Sequence, residues 1–114
     1  MILETDRLDI YLQRILVSIN KIEFHTKHID IVDIKKHPTE LDACLMQLMH
    51  IGEIANKIAK KFPKFDTLPI TKMIGLRNFV AHDYLGINTD IVKTIILKDL
   101  PKIKQTIKEY HWKK

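Results

Sequence analysis

Within eight residues, Arg77-Asn78-Phe79-Val80-Ala81-His82-Asp83-Tyr84, the chain carries a guanidinium, a carboxamide, an imidazole, a carboxylate and a phenol. That set can hold a ligand and pass it a proton. The macrodipole at a helix C-terminus favours a protonated imidazole, which suits a proton donor. On a straight helix, positions 77 and 82 lie about 140° apart around the axis, so one copy of the segment does not bring both side chains onto one ligand. A second copy facing it across a two-fold axis would gather two arginines and two histidines, as an isologous dimer does when it builds a shared site. The plainer alternative makes Arg77 and Asp83 surface residues available for ion pairs and His82 a cap on the last helical turn.

The elements that must position this segment are helical. Leu8, Leu12, Ile15, Ile19 and Ile22 step by four and three, one stripe of a first helix running from about Thr5, read as its N-cap, to about Phe24. His25 to His37 holds no sustained period and reads as a connector or a short extra turn. A second helix opens at His37-Pro38-Thr39-Glu40, with Pro38 in the first turn, where its missing N–H costs nothing. Leu41, Leu45, Leu48, Gly52, Ala55, Ala59 and Phe62 mark one face; Met46, Met49, Ile51, Ile54 and Ile58 widen it, so this helix is expected to be buried on more than one side. Pro63 stops it. A third helix spans about Pro69 to Leu85, packing through Ile70, Met73, Ile74, Val80 and Ala81 and ending at Gly86. Asn88 or Thr89 caps a fourth with Ile91, Val92, Ile95 and Ile96, and Asp99-Leu100-Pro101 restarts or kinks the chain into a last helix carrying Leu100, Ile103, Ile107 and Tyr110. Short connectors between neighbours predict an all-α, up-down bundle of four to five helices.

Composition agrees with this plan and narrows it. The 114 residues, 46% hydrophobic, supply one core, so residues 1–114 form a single domain. Only three glycines and four prolines argue against a turn-rich β fold. No apolar run approaches the roughly 20 residues of a membrane span, and the acidic first ten residues do not resemble a signal peptide, so a cytoplasmic location is expected. A single cysteine, Cys44, leaves no internal disulfide and reads as a small buried hydrophobe. The net charge of +5 is uneven: residues 1–56 hold 6 basic and 9 acidic side chains, residues 57–114 hold 13 and 5. The half with the chemistry-bearing segment is therefore the cationic one, as for a polyanion-binding surface, although solvated lysines alone produce such a surplus.

Arg77-Asn78, four intervening residues, His82 and then Tyr84 resemble the arginine, polar residue, histidine, tyrosine signature of HEPN domains. The wider chain is similar to the HepT branch: Ile51-Gly52-Glu53-Ile54-Ala55 in the second helix, Leu68-Pro69 before the motif, Ile74-Gly75-Leu76 leading into it and Asp99-Leu100-Pro101 opening the last helix. Many relatives have tryptophan after that first proline, where Ile70 stands here. The resemblance implies a metal-independent ribonuclease toxin, homodimeric, without a cofactor, encoded with a small nucleotidyltransferase antitoxin. RNA carries its own nucleophile in the 2′-OH, so cleavage needs a base, an acid and positive charge on the phosphate. A histidine, with a reference pKa of about 6.5, serves as either proton carrier, which is the expectation for His82. Arg77 would hold phosphate oxygens in a fork. Asn78 and Asp83 would orient, and Glu53, a carboxylate on an otherwise apolar helix, would meet Arg77 or simply face water. Tyr84 corresponds to a tyrosine that the partner enzyme modifies with AMP, placing negative charge and bulk beside His82. The alternative from another class is a non-catalytic HEPN module that binds a nucleotidyltransferase or a nucleotide.

Other candidates carry less. His25 and His28 stand three apart without a third ligand at a recognisable spacing. His50 could pair with Glu53. Met46, Met49 and Met73 read as core or interface residues, and Trp112, beside His111, Lys113 and Lys114, could stack on a base or simply fray.

Overall fold

The computed structural model describes residues 4–112, with side chains described for residues 7–110. Five α-helices run in order: α1 Glu4–Thr26, α2 Pro38–Lys61, α3 Ile70–Asp83, α4 Thr89–Thr94 and α5 Leu100–Trp112. A 3-10 segment, Ile31–Lys36, joins α1 to α2, and a second, Tyr84–Gly86, follows α3. No strand occurs among the described residues, and none of their helices is long and apolar enough to cross a membrane. Helix α1 already includes Glu4, so Thr5 belongs to its first turn rather than capping it; the Thr5 side chain, like those of His111, Trp112, Lys113 and Lys114, lies outside the described residues.

The 3.6-residue period sets the packing. All five stripe residues of α1, from Leu8 to Ile22, are buried, and full burial of such a side chain contributes about 1.5–3 kcal/mol. Helix α2 lies between α1 and α3 and buries Cys44, Leu45, Leu48, Ile51, Gly52, Ala55 and Ile58. Met46, expected to widen its buried face, is instead 54% exposed, because it falls on the stripe that neither neighbour covers. Burial, reinforced by the Glu40 charge, pushes the Cys44 thiol up to about 11, which leaves it an inert core residue. Helix α3 buries Met73, Leu76 and Val80; Ala81, expected to pack, is exposed, since the buried stripe steps 73, 76, 80 and leaves 81 outside it.

The ends are built as their residues dictate. Asp30 accepts from the Val32 N–H at 3.0 Å to start the 3-10 segment. The Asn88 side chain accepts from the N–H groups of Asp90 and Ile91 to cap α4. Gly86 closes the turn after α3 without a positive φ, so the helix end tightens into 3-10 geometry instead of adopting a left-handed cap. Helices α4 and α5 are one helical run interrupted by a π turn, Ile95–Asp99, in which the Leu100 N–H donates to the Ile95 carbonyl. Pro101 explains this wide turn: it has no N–H to give, and its ring would crowd the carbonyl four residues earlier in a regular helix. Among the described residues ion pairs cross between elements from Lys104 to Glu23 at 2.8 Å and from Lys72 to Asp99 at 3.1 Å. Both are solvent-accessible, so the buried stripes carry the stability.

Candidate functional site

Helices α2 and α3 run antiparallel along one face of the bundle, and two contacts fix their register. Near the middle, Gly52 of α2 lies against Arg77 of α3: a Cβ built on Gly52 would stand 2.4 Å from the Arg77 Cβ and 2.7 Å from its backbone nitrogen. Only glycine admits that approach. At the other end, the Tyr84 hydroxyl donates to the Asp42 carboxylate at 3.0 Å. The face therefore reads, in order, Asp42 with Tyr84, then Gly52 with Arg77, then Lys57 and Lys60 near the α2 C-terminus.

Arg77 and Asn78 line a groove between the two helices together with Glu53, Asn56, Lys57 and Lys60. Three cations face one anion there. Glu53 is exposed and shares the groove with Arg77, but the contact that Arg77 makes is a long one, its Nη1 donating to Asn78 Oδ1 at 3.4 Å. The plainer alternative, in which Arg77 is engaged in a surface ion pair, is not what the structure shows: among the described residues no carboxylate lies within ion-pair distance of Arg77, Lys57 or Lys60. The guanidinium is thus open to an external anion.

His82 lines a different depression, with Asp83, Tyr84 and Leu85. It is exposed in the last turn of α3, and the step of five positions from Arg77 puts it about 7.5 Å further along the axis and on another side. Asp83 is exposed beside it. One chain therefore does not bring Arg77 and His82 onto a single ligand. Among the described residues, no three His, Cys, Asp or Glu side chains gather as a metal site would require.

The hydrogen bond to Asp42, and then the charge of that carboxylate, hold the Tyr84 phenol above its ordinary range. The favourable contact is present while the phenol is protonated and is lost as pH rises through its raised value. Asp42→Ala should move the Tyr84 midpoint down towards 10 in an ultraviolet titration, with Tyr84→Phe identifying that tyrosine. An unchanged midpoint would mean that the contact does not persist in solution.

Sequence reasoning passed over Asp42, Asn56, Lys57 and Lys60. Asp42 is 42 residues from Tyr84, and no local pattern joins them. The lysines had a signal: Glu53, Lys57 and Lys60 step by four and three, one stripe of α2, which the cationic half-chain made worth tracing.

Comparison with known proteins identifies the family. The sequence model of a family described as "Ribonuclease HepT-like" matches residues 15–110, nearly the whole bundle including the α2–α3 face. The protein named "Putative RNase TTE0752" from Caldanaerobacter subterraneus subsp. tengcongensis is 31% identical over 100 residues, covering 87% of this chain and 89% of that protein. "Putative RNase MJ1380" from Methanocaldococcus jannaschii is 35% identical over 98 residues, covering 85% and 90%. "Gamma-glutamylcyclotransferase and putative RNase MJ0434" from the same organism is 29% identical over 99 residues, 86% of this chain but 45% of that protein. No solved structure matches the chain at a significant level. An all-helical bundle matched by this family over residues 15–110, with relatives 31% and 35% identical over most of both chains, belongs to the HepT-like ribonuclease family.

Proposed function

We propose that the protein is a metal-independent RNA endonuclease acting as a homodimer, with Arg77 and His82 of both copies forming one composite site. The observation that carries this reading is the separation of Arg77 and His82 into two depressions of a single chain. A two-fold partner laid on the α2–α3 face brings a second histidine to each arginine. Apolar side chains are available for that contact: Leu85 is 98% exposed, and Met46 stands one turn from Asp42 on the outer stripe of α2.

In this site Arg77 holds the scissile phosphate and stabilises the charge it gains. One His82 takes the 2′-OH proton as the new O–P bond forms, and the other protonates the departing 5′-oxygen as the old one breaks. The products are a 2′,3′-cyclic phosphate and a free 5′-hydroxyl. Asn78 steadies the guanidinium, Asp83 orients the neighbouring imidazole, and Glu53 sets the charge of the groove floor. Purified protein should cut RNA in EDTA and leave 5′ ends that a kinase can label without prior dephosphorylation. RNA binding without any cleavage would instead identify a non-catalytic phosphate-binding module.

The toxin–antitoxin setting belongs to the same proposal. A partner nucleotidyltransferase transfers AMP from ATP to the hydroxyl of Tyr84, which is exposed and two residues from His82, with loss of the phenolic proton and release of pyrophosphate, and the added phosphate repels RNA from the site. After incubation with that partner and ATP, the intact mass should rise in AMP steps in the wild type. Persistence of the rise in Tyr84→Phe would remove Tyr84 as the acceptor.

A further inference from the structure

The groove between α2 and α3 is longer than one phosphate needs. From Gly52, against which Arg77 packs, to Lys60 the α2 axis rises about 12 Å. Along that length the groove is lined by Asn56, Lys57 and Lys60, all exposed and on the outward stripe of the helix. Among the described residues no carboxylate engages either lysine, whereas Lys72, Lys93 and Lys104 elsewhere on the surface are paired. The groove also leads away from His82, towards the α2 C-terminus, so a strand lying in it extends from Arg77 in one direction only.

From these placements we infer that Lys57 and Lys60 form a second phosphate subsite, holding the RNA backbone next to the phosphate bound at Arg77. Asn56 and Asn78 supply neutral donors along the same groove. The subsite reads no base; it sets the register of a single strand across the site, as phosphate contacts do in nucleic-acid complexes generally. This inference rests on the ribonuclease reading above and adds to it a direction for the bound strand.

Salt dependence tests it. Each phosphate contact with a single strand contributes about 0.7 to the slope of log affinity against log salt. For the full chain binding a short fluorescent 2′-O-methyl oligoribonucleotide, which cannot be cleaved, Lys57→Ala/Lys60→Ala should reduce that slope by about 1.4. The same change weakens binding about 25-fold at 0.1 M salt, converging on wild type near 1 M, and raises KM for cleavage of an ordinary RNA in proportion. The control is Lys35→Ala/Lys36→Ala, which removes equal charge about 30 Å away, before the start of α2; its slope should match wild type. Both lysines of each pair are exposed, so neither double variant strains the fold. If the Lys57/Lys60 variant keeps the wild-type slope, or the control loses as much, the subsite is wrong while RNA cleavage by the wild type still upholds the ribonuclease reading. A wild-type protein that neither binds nor cuts RNA overturns both.

Discussion

His82→Ala should abolish RNA cleavage in EDTA while leaving the circular dichroism spectrum and melting temperature unchanged. The side chain is exposed, and alanine is a good helix residue, so the expected stability change stays within about 0.5 kcal/mol. In the proposed dimeric site the catalytic loss is large, because one substitution removes both proton carriers. A positioned acid or base contributes about 10²–10⁴-fold, so losing both takes cleavage below detection. Activity surviving in the folded variant would refute the role given to His82. Mixing experiments separate a composite site from one contained in a single chain. When wild-type chains are diluted into excess variant under conditions that exchange subunits, activity per wild-type chain should fall, because most wild-type chains then sit in dimers with one histidine. A site within one chain would show no such fall. Arg77→Ala should lose cleavage by another route, weakening substrate binding as well, since in the proposed site the guanidinium also neutralises the phosphate in the ground state.

The fold was legible where side-chain period alone decides it. The stripe Leu8 to Ile22 predicted α1 and its buried face, and Pro38, Pro63 and Asn88 marked boundaries that the chain respects to within a residue or two. What could not be read is what depends on a neighbouring helix. Met46 and Ala81 fit an apolar period yet face outward, because burial is set by where α1 and α3 lie and not by α2 or α3 themselves. The π turn before Pro101 was visible only as a restart or kink, since proline announces a disturbance without saying how the backbone absorbs it. At the candidate site, the angular separation of Arg77 and His82 followed from helix geometry, and the structure puts them in separate depressions. The Asp42–Tyr84 contact and the lysine-lined groove depend on the register between α2 and α3, for which the sequence holds one clue, Gly52.

Gly52→Ala should destabilise the protein, although helix propensity alone predicts the opposite. In a helix interior, alanine is favoured over glycine by about 0.5–1 kcal/mol. At position 52 the added methyl would sit 2.4 Å from the Arg77 Cβ, 2.7 Å from its nitrogen and 3.0 Å from its Cα, and two of those atoms are backbone. No rotamer change relieves the clash; α3 itself must move. Overpacking of this kind costs about 1–3 kcal/mol, which exceeds the propensity gain. A net loss of about 1–2 kcal/mol lowers the melting temperature by roughly 4–8 °C in a domain of this size. Gly75 is the internal control: it lies in α3, exposed, with nothing within 4 Å of a Cβ, so Gly75→Ala should raise the melting temperature by a few degrees. The opposite signs isolate the helix contact from the backbone entropy that both substitutions share. Cleavage should fall more than stability does in Gly52→Ala, because pushing α3 off α2 displaces Arg77 from the groove, and a misplacement of about 1 Å can cost on the order of 10²-fold in rate. A Gly52→Ala protein that melts higher than wild type and cuts RNA normally would show that the close approach of α2 and α3 does not hold in solution, and that Arg77 is positioned by something other than this glycine.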